Sequence, residues 1–238
     1  MNRFVVTLSN QDIIKAIARE TAKMSYPGSM SRGIKQVLKK NGKKAVEDFF
    51  VDEFDLFSIW KDPKKIAYNY DAYHEKWARD LAVFLKNHRP PVLGRNHANN
   101  PATVSTKFIN TFMHQLMKYE QFRSLWKHLH LPLDSQVFKA FRKYEGISGA
   151  IKPILKIIKN KSAYAISYRE YQNIQTKLQN FIAELNQKSQ IQFNSRIELN
   201  LLLWADEGIL FRDFMVKFKP KHRHGEWNLG PPVGKEIW

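Results

Sequence analysis

In "LHLPLDSQVFKAF", Leu129 to Phe141, a lone acid, Asp134, stands between a proline-stiffened apolar turn and the first turn of an amphipathic helix. Pro132 fixes the chain before it, Leu131 and Leu133 partly desolvate it, and Lys139, Arg142 and Lys143 surround it with positive charge. A carboxylate placed in this way could stabilise positive charge developing on a neighbouring carbon, or activate water there. The same position also suits a helix N-cap, a role worth ~1 kcal/mol that involves no chemistry.

Other reactive groups are fewer than the composition suggests. The complete absence of cysteine excludes disulfides, thiolate zinc sites and cysteine nucleophiles. His128 and His130, like His222 and His224, are spaced i,i+2 and have no evident acidic partner; on a helix such pairs diverge, so no metal site is expected. The sequence holds no phosphate-binding Gly-x4-Gly-Lys-Ser/Thr loop, no dinucleotide fingerprint and no Gly-x-Ser-x-Gly elbow, and no cofactor is expected.

Charge narrows the partner. The 238 residues carry 39 Lys and Arg against 22 Asp and Glu, a net charge of +17, which favours a polyanion. Anionic membranes attract the same charge, but no apolar run approaches the roughly 20 residues that span a bilayer. The amino terminus "MNRFVVTLSNQD" lacks the features of a secretory signal. These features lead us to expect a cytoplasmic protein that binds a polyanion and does not enter membranes, and we expect a monomer.

The elements that must position Asp134 have helical periodicity almost throughout. Ser9 with Asp12 resembles a capping box and opens a helix carrying Ile13, Ile14 and Ile17 on one face. Further helices are predicted near Ser31 to Lys40, from Ala45 to Trp60 with Val46, Phe49, Phe50, Phe54 and Phe57, and from Asp71 to Lys86. The stretch Asn87 to Pro101 reads as a loop between two lobes. Beyond it, Val104, Phe108, Phe112 and Leu116 mark one helix, Phe122, Leu125, Trp126 and Leu129 a second, and Val137, Phe138 and Phe141 a third. The remaining helices are predicted around Ile147 to Lys159, Tyr168 to Lys188 and Ser195 to Phe214, the last opened by a Ser195/Glu198 box. The predicted architecture is all-α and two-lobed with a cleft: an N-terminal lobe over 1–100, a lobe with Asp134 over 101–216, and a basic tail over 217–238.

Three segments, in this order, resemble helix-hairpin-helix DNA glycosylases, most closely the archaeal 8-oxoguanine glycosylase branch. "TKFINTFMHQLMKY", Thr106 to Tyr119, is similar to the helix that begins with that branch's Schiff-base lysine. "LPLDSQVFKAF" is similar to its catalytic-aspartate segment, in which a hydrophobic-Pro-hydrophobic-Asp run opens a helix. "IELNLLLWADEG", Ile197 to Gly208, is similar to its C-terminal helix, where an acid and a tryptophan four residues later hold the flipped base.

The resemblance implies a DNA N-glycosylase that everts a modified or damaged base, stacks it on Trp204 or Trp126, and uses Asp134 to stabilise the oxocarbenium-like sugar. Lys107 would attack C1′; if it is instead a solvated helix-face lysine, Asp134 would direct water and no strand cleavage would follow. Lys118, Lys139, Arg142, Lys143 and Arg95 would hold phosphates. Two features depart from the family. No glycine-rich hairpin is visible before Lys107, and Asn200 replaces the acid four residues before Trp204. An amide both donates and accepts and so also suits a cytosine-type edge. This points away from 8-oxoguanine, and excision of a hypermodified phage base in anti-phage defence, such as a modified cytosine, stands as an expectation beside ordinary DNA repair. Two alternatives stay open: an all-helical HEPN-type ribonuclease, from the Arg-x4-His spacing of Arg123 and His128, and a DNA-binding protein without chemistry, in which Asp134 is only a cap.

Overall fold

The computed structural model describes residues 9–29, 38–39, 41–94, 102–143, 149–161, 163–188 and 192–199. Over these the chain is all-α, and the only extended pairing among the described residues is an isolated antiparallel bridge between Leu38 and Leu93. The chain forms two compact units, within Met1–Trp126 and Lys127–Ile237.

In the first unit, α1 (Asn10–Ser29) starts at a reciprocal box. The Ser9 N–H donates to Asp12 Oδ2 at 3.1 Å and the Asp12 N–H to Ser9 Oγ at 3.2 Å, so two otherwise unpaired N–H groups are satisfied. Its inner stripe is Ile14, Ala18, Thr21, Ala22 and Ser25, small residues that allow close approach, whereas Ile13 is exposed. The helix expected near Ser31 to Lys40 is not continued at its end: the Lys39 N–H donates to the Val92 carbonyl at 2.7 Å beside the Leu38–Leu93 bridge. The rest of that stretch lies outside the described residues.

The single helix expected over Ala45 to Trp60 is two. α2 (Gly42–Asp48) runs into a π turn over Phe49–Glu53, closed by the Phe54 N–H on the Phe49 carbonyl at 2.8 Å. Asp55 then caps α3 (Leu56–Lys61), and Asp62 caps α4 (Pro63–Tyr68). The wider turn keeps Phe49, Phe50 and Phe54 buried and leaves Phe57 43% exposed. Phe50 stacks on Phe112 at 3.9 Å, and Phe54 lies 5.3 Å from Trp77 on α5 (Tyr70–Asn87).

α6 (Ala102–Leu116) is packed between α1 and α5. Every residue from Val104 to Met113 is buried, with Val104, Phe108 and Phe112 among them as their period predicts. This packing holds α6 in the first unit, so the chain divides after Trp126 and not at the Asn87 to Pro101 stretch. Phe122, Leu125 and Trp126 fall on a 3-10 helix, Glu120–His128, instead of an α-helix.

The second unit is built on α7 (Ser135–Lys143), α8 (Lys152–Ile158, preceded by a 3-10 turn at Gly149–Ile151) and the long α9 (Tyr168–Lys188). Val137, Phe138 and Phe141 of α7 close on Ile154 and Ile158 of α8 and on Ile174, Leu178 and Phe181 of α9. A capping box with no counterpart among the expected ones opens α9, with the Ser167 N–H on Glu170 Oε2 at 2.9 Å and the Glu170 N–H on Ser167 Oγ at 3.3 Å. At Ser195 the expected box is only half formed. Glu198 Oε2 accepts from the Asn194 N–H at 2.7 Å, but the Ser195 side chain caps nothing; a 3-10 turn, Arg196–Glu198, comes next, and the expected helix beyond residue 199 lies outside the described residues.

Candidate active site

Asp134 lies immediately before α7 and is 5% exposed. Its Oδ1 accepts the Gln136 N–H at 3.0 Å and the Val137 N–H at 2.9 Å, while its carbonyl takes the Phe138 N–H at 3.0 Å. These are the bonds of an N-cap, and they fix the carboxyl plane against the positive end of the helix.

The segment leading to Asp134 is held by side chains that sequence reasoning did not single out. Gln175 of α9, itself buried, accepts the Leu131 N–H at 3.1 Å and donates from Nε2 to the Leu131 carbonyl at 2.7 Å. One turn earlier on α9, Tyr171 Oη lies 3.1 Å from His130 Nδ1. Arg196 donates to the His128 carbonyl at 2.7 Å. The Leu131 backbone N–H and carbonyl are thus both satisfied from α9, and Arg196 satisfies the carbonyl of His128 just before the run, where burial would otherwise leave these groups unpaired. Only the polar character of Gln175 on an otherwise apolar face, between Ile174 and Leu178, hints at this role in the sequence.

The other expected site residues are distributed over both units. On α7, Lys139 and Arg142 are exposed, and Arg142 Nη2 donates to the Ile158 carbonyl at 3.3 Å. The Lys143 side chain lies outside the described residues, as do Arg95, Asn200, Trp204, His222 and His224. Lys107 belongs to the first unit, in the fully buried part of α6; at 5% exposure it is not a solvated helix-face lysine. Lys118 is exposed in that unit, with Nζ 3.2 Å from the Met24 sulfur.

Trp126 is half-buried, with its ring 5.8 Å from that of His114. Arg123 is exposed and His128 half-buried on the 3-10 helix. At three residues per turn, positions five apart point about 120° from each other, so the Arg-x4-His pair does not share a face. Among the described residues no group of three or more His, Asp or Glu could hold a metal ion. No described helix is long and apolar enough to cross a membrane.

Burial, and secondarily the charge of Lys118, hold the His114 imidazole below its usual pKa. The folded chain then keeps His114 neutral at pH values where the unfolded chain has taken up a proton. Its contribution to stability is complete above the unfolded value, about 6.5, and is lost as pH falls from there towards the lower folded value. Thermal melts from about pH 8 to about pH 5 should show this loss, and His114→Gln should flatten the curve in that window.

No family model matches the chain, and no curated protein or solved structure is significantly similar to it.

Proposed function

We propose that the protein is a DNA N-glycosylase that excises a modified base. The observation that carries this reading is the Asp134 carboxyl, which is buried, oriented by two backbone N–H groups and backed by a loop clamped from α9. Oxocarbenium stabilisation requires a negative charge that does not reorganise as the sugar becomes positive, and this is a group already immobilised. The net charge of +17 supports DNA as the polyanion, with Lys139 and Arg142 exposed on the helix that Asp134 begins.

The finer reading is a hypermodified phage base, perceived through Asn200 and Trp204 and removed in defence. Mass spectrometry of bases freed from a panel of modified DNAs tests both levels. Release of a modified cytosine supports the defence reading, release of oxidised guanine alone supports repair, and no release from any DNA ends the glycosylase assignment. The role of Lys107 is read separately by borohydride trapping: a covalent adduct lost in Lys107→Met marks it as the nucleophile, and base release without an adduct assigns the attack to water.

The same hydrogen bonds also favour a second reading, a helical DNA-binding protein in which Asp134 is solely a cap, because they are what capping alone requires. The two readings make opposite predictions for a substitution that retains the cap and removes the charge.

A further inference from the structure

The positive charge of this chain is unevenly spread, and its distribution locates the surface that meets a polyanion. Between residues 45 and 80 the sequence holds five Lys and Arg against nine Asp and Glu; between 135 and 170 it holds eight against two. The first stretch contains a cleft of about 560 Å³ lined by Lys61, Lys65, Tyr73 and Trp77 together with Asp55 and Asp62. Its cations are offset by acids, and Lys76 at its edge is paired with Asp80 at 2.8 Å. In the second stretch Glu170 is paired with Lys161, and α8 itself carries lysines and no acid.

On α8 and its C-cap, Lys152, Lys156 and Lys159 recur at i, i+4 and i+7, all exposed, on an arc clear of the buried Ile151, Ile154 and Ile158. Neighbouring cations at i,i+4 repel each other, so the free protein maintains this stripe against its own electrostatics. The stripe rises about 10 Å, and at 3.4 Å of axis per phosphate along one strand it spans about three phosphates. Arg142 reaches over from α7 to the Ile158 carbonyl and brings a fourth cation to the end of the stripe. That bond uses one of a guanidinium's five donors.

We infer that Lys152, Lys156 and Lys159, with Arg142 at their end, form the surface by which the second unit follows the phosphate backbone of one strand of duplex DNA. The inference rests on the proposed function only for the identity of the polyanion. Binding through side-chain cations on a helix face is consistent with a chain that shows no glycine-rich hairpin before Lys107.

The test is the salt dependence of binding to a labelled duplex, read by fluorescence anisotropy. Replacing Lys152, Lys156 and Lys159 together by Gln should lower the slope of log K against log salt by about 2 to 3, at about 0.9 for each phosphate that is no longer neutralised. The variant should melt no lower than the parent, because like charges have been removed. Replacing Lys61, Lys64 and Lys65 by Gln in the first unit should leave the slope unchanged. An unchanged slope in the α8 variant overturns the inference, as does an equal fall in the first-unit control. Stripe-dependent binding to anionic phospholipid vesicles that exceeds binding to the duplex also overturns it. Base release is scored independently: a falling slope with no base released keeps this surface and removes the chemistry, whereas release with an unchanged slope does the reverse.

Discussion

Asp134→Asn is expected to abolish base release while leaving the fold as stable as the parent. Asparagine ranks with aspartate as an N-cap, so the bonds from the Gln136 and Val137 N–H groups to the side-chain oxygen are retained. The variant loses only the negative charge. Loss of a group that stabilises transition-state charge costs on the order of 10²–10³ in rate, so release should fall at least about a hundredfold with the melting temperature essentially unchanged. Asp134→Ala serves as the contrast. It removes the cap as well, which should cost about 1 kcal/mol, and any loss of activity there mixes two causes. If Asp134→Asn releases base at the parental rate, the carboxylate has no part in the chemistry and the residue is a cap.

Local periodicity carried much of this architecture in plain view. Val104, Phe108 and Phe112 repeat at helical spacing and are buried on α6, and Val137, Phe138 and Phe141 do the same on α7. Ser9 with Asp12, and Asp134 before Ser135, could be read as caps because capping is decided within three or four residues. Features decided by packing were not legible. The run from Ala45 to Trp60 keeps a helical apolar pattern although the chain inserts a π turn at Phe49–Glu53, because Phe49, Phe50 and Phe54 must all reach one aromatic cluster. The Leu38–Leu93 bridge joins residues far apart in sequence, and its apolar residues suit a helix equally well. Ile13 shows the limit within one helix: the stripe selected for burial runs through Ala18 and Ala22, small residues that a search for bulky side chains passes over. At the candidate site, Asp134 was visible and the groups that place it were not. Gln175 lies 44 residues beyond Leu131, whose backbone it clamps, and a glutamine in a helix gives no sign of which distant backbone it will satisfy.

That glutamine carries the second large effect. Gln175→Met retains a long unbranched side chain in the buried slot, so little packing is lost, but the Leu131 N–H and carbonyl are both left without their partner. Each buried backbone group left unsatisfied costs about 1–3 kcal/mol, and the pair therefore about 2–6 kcal/mol. This is a large share of the roughly 5–15 kcal/mol typical of a whole domain. Denaturant melts should show the loss as a lower midpoint with an unchanged slope, since the surface exposed on unfolding is nearly the same. The damage should also extend beyond stability. Leu131 lies three residues before Asp134, and the His130–Tyr171 pair and the bond from Arg196 to the His128 carbonyl both hold the segment on the far side of the missing clamp. A carboxyl that must match a developing charge to within a fraction of an ångström loses catalytic value when its support relaxes. Base release by the fraction that remains folded should therefore fall, whereas DNA affinity and its salt slope, which we assign to exposed cations on α7 and α8, should not change. If release per folded molecule stays at the parental level, Asp134 is held by its own helix alone, and the clamp from α9 serves folding only.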